Sequence, residues 1–238
     1  MKFSIIIPSF GQRNYVGEAI ESALEQTIPK ASYEVIVVDD GSNDGSYDLV
    51  LNTYGDQVKL IRQTNKGLAS ARNTGIMNAK GEYCFFLDAD DKMKPNCLRE
   101  IVRVIQETDA DVIAPSITCF TQKDTYAESE PTILIENPSF NDFKEGNRLA
   151  YCCAIKRSTL LEVGGYSPKM DTLGGYEDLH LWYTLMSRGK LFKTIQEPLV
   201  MYRIKEKSMY TEAKNNHEKL WAQILKDFPQ AATHYRAI

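Results

Sequence analysis

This chain has few histidines, an odd number of cysteines and no long apolar run, and each shortage excludes something. No stretch approaches the ~20 apolar residues that a membrane span needs, so no span is expected. The opening MKFSIII is apolar, but Pro8 breaks it well short of a signal-peptide core. The expected location is cytoplasmic, peripheral at most at the inner face of a membrane. The five cysteines (Cys84, Cys97, Cys119, Cys152 and Cys153) form no C-x-x-C pair, and three of them lie in apolar runs. Free thiols, mostly buried, in a reducing compartment fit that pattern. His180, His217 and His234 lack metal-ligand spacing, and no G-x-S-x-G or Cys/His nucleophile arrangement occurs. The phosphate-loop patterns G-x-G-x-x-G and G-x-x-x-x-G-K-[ST] are also missing, which argues against nicotinamide dehydrogenases and P-loop enzymes. A net charge of −4 without a basic stripe argues against a nucleic-acid partner.

What the 238 residues do contain is alternation. Short β-branched runs at 3–7, 34–38, 58–62, 82–87 and 111–114 alternate with helix-period segments near 15–26, 45–54, 68–79 and 95–106. Pro95 suits a first helical position, and Leu98, Ile101, Val102 and Ile105 form an apolar stripe behind it. Such alternation predicts an α/β fold with a mostly parallel sheet flanked by helices. Ligands of such sheets bind outside the carboxyl ends of the strands. The unusual residues fall there: Pro8-Ser9-Phe10, Asp39-Asp40-Gly41-Ser42, Asn65-Lys66-Gly67 through Arg72, and Asp88-Ala89-Asp90-Asp91. Past residue 115 the pattern changes. A polar stretch over 116–147 reads as loop, followed by a strand at 149–155, a helix at 157–163, a flexible loop at 166–176 and a helix from Glu177 to Gly189. Two strands at 192–196 and 199–203 precede a final helix over 212–228, whose stripe of Leu220, Trp221, Ile224, Leu225 and Phe228 fits core packing, a dimer contact or a membrane surface.

Each acidic motif has two readings. Asp88 and Asp90 stand at i and i+2 of an extended segment and so face one way. They suit a divalent cation, Mn²⁺ or Mg²⁺, bridging substrate phosphates, or else a solvated turn in which Asp91 caps the next helix. Asp39 and Asp40 either order a turn or offer an acceptor to a base N–H. Arg72 is either a salt-bridged arginine or a ligand of an acidic pocket or phosphate. Glu177 and Asp178 open a helix, where acids are favoured by the macrodipole. Alternatively, one of them is a general base whose pKa burial has raised.

Taken together and in order, SIIIPSFGQ, EVIVVDDGSNDGS, NKGLASARNTGIMNAKGEYCFFLDADD, EVGGYSPKM and YEDLHLWYTLMSRGK resemble the inverting glycosyltransferases of family 2 with the GT-A fold. The resemblance covers about 1–115 and 149–205. It implies a nucleotide-sugar-binding half at 1–115, an acceptor-binding and catalytic-base half at 116–211, and a C-terminal helix at 212–238. Pro8, Ser9 and Phe10 would line the nucleoside pocket and Asp40 would meet the uracil ring. Asn65, Gly67 and Arg72 would shape the nucleotide and sugar side, Asp88 and Ala89 would contact ribose or sugar, and Asp90 would hold the Mn²⁺ or Mg²⁺. Asp178 would be the base, with Glu177 holding the acceptor. The implied enzyme is a hexosyl- or N-acetylhexosaminyltransferase. It would move sugar from a UDP-sugar to a saccharide, lipid-linked or other glycoconjugate acceptor in surface polysaccharide or glycoconjugate synthesis.

In one place the chain departs from the pattern. Where many members carry a metal-ligating His after the last strand, Lys205 stands here in Tyr202-Arg203-Ile204-Lys205. A charged ammonium cannot ligate a metal but can pair with a diphosphate, so Lys205 and Arg203 are expected to stabilise the leaving group. Two other readings compete. A haloacid-dehalogenase-type phosphatase would want its D-x-D on the first strand, with Thr or Val where Lys92 stands. A non-catalytic nucleotide-sugar-binding module would be expected to have lost Asp90 or Asp178.

Overall fold

Residues 3–9 and 33–39 read as almost unbroken apolar runs because both faces of these strands are covered. In this computed structural model, which describes residues 1–121, 138–143, 147, 149–205, 213 and 215–234, they form β1 (Phe3–Ser9) and β2 (Tyr33–Asp39), neighbouring interior strands of one sheet. Alternation decides which face each side chain joins. Phe3, Ile5 and Ile7 pack on one face with Val35 and Val37, while Ile6, Ile36 and Val38 pack on the other.

The first face is closed by α1 (Val16–Leu24), α2 (Ser46–Tyr54) and α4 (Cys97–Glu107). The second is closed by α3 (Leu68–Asn78), α5 (Arg157–Val163), α6 (Pro168–Leu173), α7 (Glu177–Ser187) and α8 (His217–Asp227). The strand order uses β3 (Lys59–Arg62), β4 (Tyr83–Phe86), β5 (Lys92–Met93), β6 (Val112–Thr121), β7 (Ala154–Lys156) and β8 (Phe192–Ile204), and runs β3-β2-β1-β4-β7-β6-β8-β5. The first four in that order are mutually parallel. β7 is antiparallel between β4 and β6, β8 is parallel to β6, and β5 is antiparallel on the edge.

Several sequence expectations need correction, all in the second half except one. The segments 192–196 and 199–203 are a single strand, because two register shifts, on either side of Ser116 of β6, accommodate Pro198 opposite Ser116, and regular register follows from Val200. Of the run 149–155, only Ala154 and Ile155 enter β7, since Tyr151 is drawn away to a buried hydrogen bond with Asp91. The loop 166–176 contains α6, started by Pro168 and ended by Gly174 at φ +88°. In the polar stretch 116–147, residues 116–121 complete β6, while 122–137, 144–146 and 148 lie outside the described residues. So does most of 206–214, where the final helix was expected to begin. In the first half, α4 begins at Cys97 rather than Pro95, and its Leu98 N–H is capped from a distance by Gln26 Oε1 at 3.0 Å.

All five cysteines are free, and four of them are buried. The stripe of α8 is core. Leu220, Trp221, Ile224 and Phe228 are buried, with Tyr183 of α7 stacked on Phe228 at 5.7 Å. No described helix is long and apolar enough to cross a membrane.

Candidate active site

The carboxyl ends of β1, β2, β3 and β4 open on a cleft of 450 Å³, a size suited to a small organic ligand. Its wall includes Pro8, Ser9 and Phe10 after β1, Asp40 after β2, Asn65 and Gly67 after β3, and Asp88, Ala89 and Asp90 after β4. Lys205 completes it from the end of β8. Phe10 stands on the lip, about half exposed, and Ser9 is buried with a side-chain hydroxyl that has no hydrogen-bond partner. A buried orphan hydroxyl is uncommon, and here it lines the cleft.

Asp40 organises the wall. One carboxylate oxygen accepts from Gln63 Nε2 at 2.7 Å and Lys66 N at 2.9 Å, and the other accepts from Gly67 N at 2.9 Å. The chain after β3 is thereby folded onto the end of β2. The fit leaves no space for side chains at two points. A Cβ on Gly41, at φ +80°, would stand 2.8 Å from Asn65 N, and one on Gly67, at φ +95°, would stand 2.5 Å from the Asp171 carboxyl carbon.

Asp171 was not anticipated. It projects from α6 and accepts from Ala69 N at 2.8 Å and Ser70 N at 3.2 Å, capping α3 from 102 residues away. Burial raises its pKa against these hydrogen bonds. Gln12, Leu68, Tyr202 and Gly174 are further wall residues that sequence reading missed. For Asp171 and Gly174 the only signal was their place in a glycine-rich segment.

Arg72 is not on the wall. It is fully buried behind it, donating from Nη1 to Glu177 Oε1 at 2.6 Å and from Nη2 to Asp88 Oδ1 at 2.8 Å, with the rings of Tyr166 and Tyr151 at 5.1 and 5.4 Å. Its guanidinium fork engages two carboxylates, the acidic-pocket role open to it from the sequence, and it meets the cleft wall through Asp88. Burial works against its charge, but Asp88 and Glu177 overcome this and hold it more basic than a free arginine. Asp88 is pushed up to about 6, by burial first and with Arg72 opposing.

Arg203 also sits behind the wall. It is buried, donating its backbone N–H to Asp91 Oδ1 at 2.7 Å, Nε to the Asp90 carbonyl at 2.8 Å and Nη2 to Glu18 Oε2 at 2.9 Å. Its side chain shapes the turn that carries Asp90. Asp91 does not cap α4. Its second oxygen accepts from Tyr151 Oη at 2.5 Å, and Tyr151 Oη accepts in turn from Asp88 N at 3.1 Å. Burial, then Asp90 and Asp88, raise the Asp91 pKa.

Asp88, Asp90 and Asp91 bring carboxylate oxygens within 4.8 Å of one another. The donor set narrows what they can hold. Both Asp91 oxygens are engaged, one Asp88 oxygen faces Arg72, and Lys205 Nζ is ion-paired with Asp90 Oδ2. The residues fit a divalent cation held by Asp90 and completed by phosphate oxygens and water, with Lys205 as a competing charge.

Across Arg72, α7 starts after Gly174, Gly175 and Tyr176, all at positive φ. Tyr176, at φ +60°, is the only such non-glycine among the described residues, and its hydroxyl meets His217 Nδ1 at 2.9 Å. Glu177 is buried on Arg72. Asp178 is half-buried, one oxygen accepting from Leu179 N and the other from Asn147 Nδ2, both at 2.7 Å. Burial, then the neighbouring Glu177, push its pKa up to about 7. His180 faces away, to Asp227 at 3.2 Å and the ring of Phe228 at 5.1 Å, and burial lowers its pKa.

Known proteins are similar to this chain in sequence and fold. Residues 4–163 match the model of the family described as glycosyl transferase family 2. An uncharacterized glycosyltransferase of a Nostoc species is 33% identical over 86% of this chain and 65% of its own length, and another from Rickettsia prowazekii is 30% identical over 94% and 71%. The structure of Staphylococcus aureus TarS residues 1–349 superposes with a TM-score of 0.73 at 19% identity, over 94% of this chain and 64% of that one, and its complex with UDP-GlcNAc gives 0.73 at 21%. The chain thus spans just under two thirds of the Nostoc protein and of the TarS fragment. The fold is the GT-A fold expected from the motifs, and with a family match over most of its length the chain belongs to glycosyl transferase family 2.

Proposed function

We propose that this chain transfers a sugar from a nucleotide-diphosphate sugar, a UDP-sugar, to an acceptor hydroxyl with inversion at the anomeric carbon. The observation that carries this reading is the buried Arg72 fork. It ties Asp88, beside the expected donor site, to Glu177, next to the expected base, so that both sides of a displacement are built around one fixed cation. The orphan Ser9 hydroxyl and the exposed Phe10 at the lip support a nucleoside on that side of the cleft, along with Pro8, Asp40, Asn65 and Gly67; Asp88 and Ala89 would meet ribose or sugar. Residues 1–115 then serve the donor and 116–211 the acceptor. TarS is named as a poly(ribitol-phosphate) β-N-acetylglucosaminyltransferase, and its UDP-GlcNAc complex shares this fold, so UDP-GlcNAc is the first donor to test. The acceptor is a saccharide, lipid-linked or other glycoconjugate hydroxyl in surface-polymer synthesis.

In the reaction, Asp178 takes the proton of the acceptor hydroxyl. The acceptor oxygen forms its bond to the anomeric carbon as the bond to the diphosphate oxygen breaks, and UDP leaves from the opposite face. A pKa near 7 lets Asp178 act as a base at neutral pH. A Mn²⁺ or Mg²⁺ at Asp90 would neutralise charge on the diphosphate. Lys205, released from Asp90 by the donor phosphates, would supply a second positive charge.

Calorimetric titration of UDP with and without Mn²⁺ tests the donor side. Binding that strengthens with Mn²⁺ and is lost in Asp40→Ala supports it. In Lys205→Ala, Mn²⁺ affinity should rise about fivefold or more, the scale of one partly buried ion pair. Absence of UDP binding under all conditions would refute the reading.

A further inference from the structure

Asp178 has two carboxylate oxygens, and its own helix holds one. Oδ1 accepts the Leu179 N–H at 2.7 Å, folding the carboxylate back onto the first turn of α7. Oδ2 is the oxygen left to receive a proton, and its partner is the side-chain amide of Asn147 at 2.7 Å. The orientation of that amide is fixed independently. Asn147 Oδ1 accepts from Leu149 N at 3.2 Å, and a backbone N–H can only donate, so Nδ2 must be the end that faces Asp178. The contact crosses 31 residues, from the segment between β6 and β7 to the start of α7. Unlike Glu177, which is held by Arg72, Asp178 has no cation within hydrogen-bond reach among the described residues.

We propose that Asn147 is a positioning residue for the reaction, holding the reactive oxygen of Asp178 in place and keeping it ready as a proton acceptor until the acceptor hydroxyl arrives. This rests on the reading of Asp178 as the base. The chemistry is direct. An N–H donor stabilises a carboxylate and cannot donate to the lone pair of an O–H-bearing oxygen as well as to an anion, so Asn147 favours the charged form. It also leaves Oδ2 a further lone pair for the incoming hydroxyl. The other groups acting on Asp178 are Glu177 on its own helix, Arg72 from α3, Asp88 after β4, and the buried Tyr166 and Cys153. Of these, Glu177 and Asp88 oppose its ionisation and Arg72 favours it. Asn147 is exposed, so its removal costs the fold little, and it belongs to the segment expected to meet the acceptor. Acceptor binding and base alignment are thereby joined at one amide.

The test needs no substrate. Carboxyl-carbon NMR of aspartate-labelled protein, with the Asp178 signal assigned by its loss in Asp178→Asn, gives the titration midpoint directly. In Asn147→Ala that midpoint should rise by about one pH unit, the tenfold change expected for one charge-assisted hydrogen bond, while Asp227 on α8 stays put and reports an intact fold. Asn147→Gln, which keeps the amide donor, should restore at least half of the difference. A midpoint unmoved in Asn147→Ala would overturn the proposal, as would a rise that Asn147→Gln fails to reverse. The base reading is judged separately, by UDP release from UDP-GlcNAc in Asp178→Asn. If that variant turns over normally while the NMR shift is seen, the hydrogen bond stands and the base assignment falls.

Discussion

The two sides of the cleft are built by different means. On the donor side, Ser9, Asp40 and Asp88 each end or follow a parallel strand, and the first two strands are held in register by their own ladder, from Phe3 opposite Tyr33 to Ser9 opposite Asp39. Position in the fold already aims Ser9, Asp40 and Asp88 at one edge. On the base side, α7 starts in a loop with three consecutive residues at positive φ, and its acids are aimed by side chains reaching in from elsewhere: Arg72 to Glu177 across 105 residues and Asn147 to Asp178 across 31. Backbone topology sets the first side, and a few polar contacts set the second. Single substitutions should therefore damage the base side more selectively than the donor side.

The largest effect is expected at the junction. Arg72→Ala leaves Asp88 and Glu177 without their shared cation, and breaking a buried pair costs about 3–5 kcal/mol, read as a fall in the denaturant midpoint. Arg72→Lys should rescue little, because one ammonium cannot address two carboxylates from a planar fork. Full rescue by Lys would mean that charge alone joins the two sides.

The next effect concerns Asp178 and pH. Its folded pKa of about 7 lies above the ordinary 3.8, so the folded chain holds a proton that the unfolded chain gives up. Stability from this group is fully present below about pH 4 and declines as pH rises through 7. Asp178→Asn removes that decline. The variant should match the parent near pH 4 and exceed it at pH 8 by as much as about 4 kcal/mol in thermal melts. Equal stability at both pH values would show that Asp178 is not perturbed.

The smallest is at the trans cap. Asp171→Ala removes the acceptor for two N–H groups at the start of α3 and should cost about 1 kcal/mol, with UDP binding weakened through the Gly67–Leu68 wall. Asp171→Asn, which keeps one acceptor oxygen, should recover part of both. Unchanged UDP affinity in Asp171→Ala would separate α6 from the donor side.

The same contrast explains what could be read in advance. The first-half strands, the apolar stripe of α4 and the convergence of Pro8, Asp40, Gly67 and Asp88 on one edge follow from local periodicity, because burial on both faces leaves continuous apolar runs. The partners of Arg72 and Arg203 were not legible in the sequence, for one reason. An arginine's partners are chosen by folding, and Arg203 Nη2 meets Glu18 across 185 residues with no local trace. Caps supplied in trans by Gln26 and Asp171 are hidden similarly, since the residues at the capping positions themselves provide none. Pro198 interrupts the apolar pattern of β8, and its lost N–H is absorbed by an irregularity in register with β6 that has no local trace.

The most direct test of the central claim, one donor site and one base on separately built walls, pairs two readings on Asp178→Asn. These are UDP affinity by calorimetry and UDP release from a panel of UDP-sugars beginning with UDP-GlcNAc. The account predicts UDP affinity within about twofold of the parent, with turnover down at least ~100-fold, the scale of a lost general base. Turnover at the parental rate, or loss of UDP binding together with turnover, would contradict it.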